Sequence, residues 1–312
     1  MTMEARQNSI FENFGALFTD ELWTLDTSNS KKSWKKIVRF TKLVRITFRT
    51  FAENRMGFQC VSLSYFITLA IIPLMAVIFA VSGGLGLTDK LFTFLTNNIP
   101  GNPEIVSMVM EKAGNIIDTA QSGAVGFIAA LTFLWAIIWL MFQVERIFNN
   151  VWGIRKIPRK IYKRFSFYLL TLFLLPFIVI LFGFGIVTYS NLPALIGVDI
   201  DEMRVIVRLL GWLLFYLVSV FTFSVMYKWI PAPRIKYSNA FKAALVSGLF
   251  FILFQYLYLE TQVFVSRIND VYGVLAAIPL FLIWLNFSWQ IIIYGAELTY
   301  SFENVDTYHI PE

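Results

Sequence analysis

Histidine and cysteine are almost missing from this chain: His309 and Cys60 are the only copies in 312 residues. One thiol cannot close an internal disulfide, and without a Cys-x-x-Cys pair there is no redox or zinc motif. Charge is scarce as well. Only 15% of residues are Asp, Glu, Lys or Arg, against about 25% in an ordinary soluble domain. GxGxxG, the Walker loop, GxSxG and HExxH do not occur. Metal-dependent cleavage of RNA needs gathered His, Asp or Glu ligands. Here the paired carboxylates are Asp199 and Asp201, in a link between apolar runs. No catalytic residue, metal or cofactor is therefore expected, and the chain reads as a non-enzyme. The first thirty residues hold Glu4, Glu12, Asp20, Glu21 and Asp26 and no apolar core, so a cleavable signal peptide is not expected.

What is present is oil. Hydrophobic residues make up 57% of the chain and aromatics 17%, with a mean hydropathy of +0.66. A soluble body this apolar would expose large greasy patches. Several apolar runs exceed 18 residues, long enough for a bilayer core of about 30 Å. Six spans can be marked at roughly 58–82, 123–145, 166–189, 205–227, 243–263 and 274–298. Lipid offers no partner to an open strand edge, so spans must be helices or closed barrels. Period-two alternation is missing, which excludes the barrel. The expected fold is an all-α, six-helix membrane domain over 33–303, after a flexible N-terminus at 1–32 and before a short tail at 304–312.

The excess positive charge is distributed by side. Ten Lys/Arg lie in 1–57, seven in 146–165 and four in 228–242, leaving only Lys90, Lys112, Arg204, Arg208 and Arg267 on the other side. Basic loops stay in the cytoplasm, so both termini are expected there, in the inner membrane of a bacterium. The net charge of +6 is then a topology signal. A nucleic-acid partner would need a basic face interleaved with exposed aromatics, and none is expected.

Three non-spanning pieces have readable structure. In 33–52, Trp34, Ile37, Val38, Thr41, Val44, Phe48 and Phe51 fall on one side, and Lys35, Arg39, Lys42 and Arg49 elsewhere. This predicts an amphipathic helix at the cytoplasmic face. It either lies on anionic lipid headgroups or leans on the bundle. The outer link at 83–122 contains a second amphipathic segment, capped by Asn102 and Pro103. "WIPAPRIKYS" predicts a stiff proline turn between spans four and five.

Polar groups within the spans each require a reason, because amides in hydrocarbon need partners. In "FLIWLNFSWQIIIYGAEL", Asn286, Gln290 and Glu297 fall within about 40° of each other on a helix. They either join neighbouring helices or line a wet cavity. Gln143, Arg146 and Asn150 share one face at the end of span two, beside Glu145 and Asn149. Arg146 and Glu297 reach a similar depth and are candidates for an ion pair. Tyr65 and Gln59 add polar groups to span one, and Pro73, Pro176 and Pro279 are expected to bend their helices.

Three stretches together carry a family likeness. "SLSYFITLAIIPLM" (62–75) holds Tyr65 and Pro73. "FNNVWGI" (148–154) holds Asn149, Trp152 and Gly153. "VYGVLAAIPLFLIWLNFSWQIIIYGAEL" (271–298) holds Tyr272, Gly273, Gly295 and Glu297. Over about 35–303 the sequence resembles the YihY/BrkB family of bacterial inner-membrane proteins, once labelled ribonuclease BN. The resemblance implies six spans with both ends cytoplasmic, and a role in moving osmolytes or lipids. An envelope scaffold that transports nothing is the alternative. The nuclease label has no ligand set behind it in this chain.

Overall fold

The computed structural model describes residues 20–23, 32–84, 123–154, 200–266 and 270–308. Among them the regular structure is helical. A short 3-10 turn at Asp20–Trp23 precedes α1 (Lys32–Glu53), α2 (Met56–Gly84), α3 (Gly123–Asn150), α4 (Ile200–Trp229), α5 (Tyr237–Ser266) and α6 (Asp270–Asn304). The span expected at 166–189, with Pro176, and the helix expected in 85–122 lie outside the described residues.

Valine, isoleucine and the aromatics are poor helix formers in water, yet they dominate α2 to α6. In lipid the backbone has no partner but itself, so the helix wins regardless of propensity. Hydroxyls inside the apolar stretches follow the same logic. Ser64, Thr68, Ser219 and Thr261 each donate to the carbonyl four residues back on their own helix, which satisfies them without a neighbour. Helices α2 and α6 continue through Pro73 and Pro279, each without the one backbone bond a proline cannot make.

Among the described residues, three helices are long and apolar enough to cross a membrane: Leu209–Trp229, Tyr237–Thr261 and Pro279–Asn304. Only 22% to 28% of each apolar window is buried. The remaining oil faces outward, as on Phe221, Phe250 and Leu257. That is the surface of a protein whose solvent is lipid.

The helices pack in sequence-adjacent pairs, α2 on α3, α4 on α5 and α5 on α6, and α6 also meets α1 and α2. Gly295 makes the central approach possible. A β-carbon there would fall 2.0 Å from the Tyr227 hydroxyl oxygen and 2.8 Å from the Ser247 β-carbon. Tyr227 is fully buried against Phe148 and Phe223 and donates to Ser247 Oγ at 2.9 Å.

Helix α1 packs on the bundle through a face that overlaps the expected one. Val38 and Phe51 are buried as expected, and Leu43, Ile46, Thr47 and Thr50 are buried beside them, whereas Ile37 is exposed and Phe48 is 60% exposed. On α6 the Tyr294 ring stacks on Phe51, and the Ser301 hydroxyl meets that of Thr47 at 2.9 Å. Part of the N-terminal segment expected to be flexible is docked as well. Leu22 is buried against Val38 and Trp34, and the Trp23 ring lies 5.3 Å from that of Tyr308. At the other end Val305 joins Leu43 and Ile46 in a small core.

Between α1 and α2, Arg55 is held at φ 51°, in the left-handed region that L side chains disfavour by about 1–2 kcal/mol. Its side chain is exposed. Arg55→Gly is therefore expected to stabilise the protein by about 0.5–1 kcal/mol, read as a raised melting temperature in detergent. An unchanged or lowered value would place the strain elsewhere.

Candidate functional site

Two cavities with polar walls adjoin at the end of the bundle that holds the turn after α3 and the end of α6. The first, of about 340 Å³, opens between the end of α1 (Thr50, Glu53, Asn54), the turn after α3 (Val151, Trp152, Gly153) and the end of α6 (Tyr300, Asn304, Thr307, Tyr308). The second, of about 530 Å³, lies between α2 (Phe58, Gln59, Ser62) and α3 (Gln143, Arg146, Ile147, Asn150), with Ile154. Gln59, on the second cavity, donates to the carbonyl of Asn54, on the first, at 2.8 Å. The two spaces share that wall.

The turn after α3 is built by a glycine. Gly153 sits at φ +66°. The Ile154 amide donates to the Asn149 carbonyl at 3.1 Å and the Gly153 amide to Asn150 at 2.9 Å. This is the Schellman arrangement that ends a helix with a left-handed residue. Asn149, fully buried, then clips the neighbouring link: its Oδ1 accepts from the Ala232 amide at 2.8 Å and its Nδ2 donates to the Glu145 carbonyl at 2.7 Å. The Lys236 amide donates to Glu303 at 2.6 Å, so the proline-rich turn is tied to both α3 and α6.

Behind the first cavity Glu297 is 0% exposed. Asn54 Nδ2 donates to its Oε1 at 3.3 Å. Its Oε2 has no hydrogen-bond partner among the described residues. The Thr50 hydroxyl also reaches the carboxylate, besides bonding the Ile46 carbonyl, and Thr47 and Ser301 bond carbonyls on their own helices. Nearer the surface Arg49 Nε donates to Glu53 at 2.6 Å.

The residues singled out in the sequence separate here. Gln143, Arg146 and Asn150 line the second cavity together, and Trp152 and Gly153 line the first. Arg146 and Glu297 do not pair. Arg146 faces the second cavity, while the carboxylate bonds Asn54. Asn286 and Gln290 line neither cavity: Gln290 Nε2 donates to Asn286 Oδ1 at 2.6 Å, one turn away on the same helix. Asn286 Nδ2 is buried with no partner among the described residues. Tyr65 is exposed and lies edge-on to Phe66. Tyr272 and Gly273 fall in the first turn of α6.

Sequence reading missed Asn54, Thr50 and Ser301. A signal existed in α1, where Leu43, Thr47, Thr50 and Asn54 recur at helical spacing. Among the described residues no three His, Cys, Asp or Glu side chains gather as a metal ion would need.

Comparison with known proteins agrees with the likeness noted in the sequence. The family model described as Virulence factor BrkB matches residues 47–311. A UPF0761 membrane protein of Histophilus somni strain 2336 is 28% identical over 255 residues, covering 80% of this chain and 86% of its own. A UPF0761 membrane protein of Vibrio vulnificus strain YJ016 is 27% identical over 262 residues, covering 82% and 80%. One from Aggregatibacter aphrophilus strain NJ8700 is 25% identical over 267 residues, covering 84% and 92%. No solved structure matches. With most of its length matched and an outward-facing apolar surface on its helices, the chain belongs to the BrkB family of membrane proteins.

Proposed function

We propose that this protein crosses the bacterial inner membrane six times, with both termini in the cytoplasm, and moves a small osmolyte or a lipid through a path between its helices. The observation that carries the reading is the pair of adjoining polar cavities at one end of a bundle that is otherwise oil. Polar space at a helix-bundle end has no packing value, and an ionisable side chain inside a span is expensive to keep unless it serves a purpose. Arg146 gives the larger cavity a positive wall suited to a carboxylate or phosphate. The path uses no catalytic residue and no cofactor, and with no nucleotide loop in the sequence movement would follow a gradient.

A second reading, a scaffold that transports nothing, is favoured by one observation. Asn286 and Gln290 bond each other, as residues that merely satisfy themselves in lipid would. Reconstituted vesicles separate the two. With glycine betaine inside and a fluorescent phospholipid in one leaflet, parent vesicles are expected to move one or the other, and Arg146→Gln, on the wall of the larger cavity, to slow that movement. Parent vesicles that move neither support the scaffold.

A further inference from the structure

We propose that the cavity walled by Trp152, Tyr300 and Tyr308 binds a small quaternary ammonium, the methylated cationic group of a compact organic solute. This deepens the transport reading by giving the charge and shape of what enters, yet binding is measured apart from movement.

The lining chooses the ligand. Glu53 is the one charged residue among those lining the space, and three aromatic rings share it. Trp152 and Tyr300 meet edge to face, at 84° with ring centroids 6.1 Å apart; both line the space and remain partly exposed. Tyr308 lies within electrostatic reach of Tyr300, Glu53, Glu297 and Arg49. Glu53, held by Arg49 Nε at 2.6 Å, is the acidic group on the wall itself. Asn54 and Asn304 each have an amide N–H taken by a protein acceptor, Glu297 and the Tyr300 carbonyl.

An anion would meet Glu53 and the negative ring faces here, and finds Arg146 next door instead. A bare metal ion requires converging oxygens, and aromatic faces are poor substitutes for them. A quaternary ammonium makes no hydrogen bonds, carries a diffuse charge and fits against several ring faces at once. A volume of about 340 Å³ is at the small end of ligand sites, which suits a methylated headgroup.

The test is titration calorimetry on the full chain in detergent, with tetramethylammonium chloride as probe and neopentyl alcohol, its neutral counterpart in shape, as control. Tetramethylammonium is expected to bind and the alcohol not. Trp152→Leu and Tyr300→Leu are each expected to weaken binding about ten-fold, and Tyr300→Phe to recover most of what Tyr300→Leu loses. Should the leucine variants fail to fold, Glu53→Gln still reports, because Glu53 is exposed. It is expected to weaken binding most at low salt, where charge is least screened. Equal binding of the alcohol, or binding unchanged in Trp152→Leu and Glu53→Gln, overturns the assignment. Binding as described with vesicles that move nothing leaves this site standing and removes the transport reading. Transport without tetramethylammonium binding removes the site alone.

Discussion

Gly295→Ala is expected to unseat the packing of α4, α5 and α6. The added β-carbon would fall 2.0 Å from the Tyr227 hydroxyl oxygen, 2.6 Å from Tyr227 Cζ and 2.8 Å from the Ser247 β-carbon. None of these can step aside easily. Tyr227 is wedged between Phe148 and Phe223, and Ser247 is buried with its hydroxyl on the Ala243 carbonyl. Overpacking of a tight core costs about 1–3 kcal/mol and at times more, and two obstructed helices put this site at the upper end. The melting temperature in detergent should fall by roughly 5–10 °C. Tyr227→Phe alone removes one hydroxyl and costs about 1 kcal/mol. Combined with Gly295→Ala it should recover part of the loss, since the shortest of the three contacts is gone. A double variant no better than the sum of the singles would mean that the backbones, and not the Tyr227 ring, limit the approach.

Glu297 is expected to tolerate the loss of its charge and to reject its reversal. Glutamine keeps an oxygen for Asn54 Nδ2, now at 3.3 Å, and should fold within about 1 kcal/mol of the parent. Lysine would put an ammonium where the Asn54 amide points its own hydrogens. Removing or reversing one member of a buried polar pair costs about 3–5 kcal/mol, enough to lose the folded protein from the membrane. Asn54→Leu should fall between the two, because it takes one donor from the carboxylate and leaves the Thr50 hydroxyl. Expression and detergent melting of the three variants give the order. If lysine were tolerated like glutamine, the site would be wet and open, not sealed behind the cavity as the structure has it.

Much of the architecture was legible because lipid leaves the backbone so few choices. Five of the six stretches marked as spans fall within helices α2 to α6. Among the described residues α4, α5 and α6 are long and apolar enough to cross a membrane, and the stretch at 166–189 lies outside the described residues. The helices run past the expected ends, most visibly at α6, which reaches Asn304 where hydropathy stops near 298. Hydropathy marks the depth of oil, whereas a helix ends at its cap. Beyond the oil α6 is carried on by polar side chains, with Thr299, Ser301 and Asn304 bonding carbonyls four residues back.

The site was legible only in pieces. The shared face of Gln143, Arg146 and Asn150 follows from helical spacing, and the three do line one cavity. Spacing gives direction about one helix axis and nothing about which neighbour stands there, so the expected Arg146–Glu297 pair was out of reach. The partners of Glu297 are Thr50 and Asn54, the latter 243 residues away, at the end of a helix read from sequence for its apolar and basic sides. Gly153 and Gly295 were visible as motif residues. The reasons for them, a positive φ and a contact of 2.0 Å, exist only in three dimensions.

Every functional reading here needs the cavity mouth to open on the cytoplasmic side of the membrane. Cys60 is buried and can be removed as Cys60→Ser, leaving a background for single reporters. Thr307→Cys lies exposed on the rim of the first cavity. A membrane-impermeant maleimide should label position 307 in inside-out vesicles and not in spheroplasts. Labelling of position 307 from outside would contradict the account.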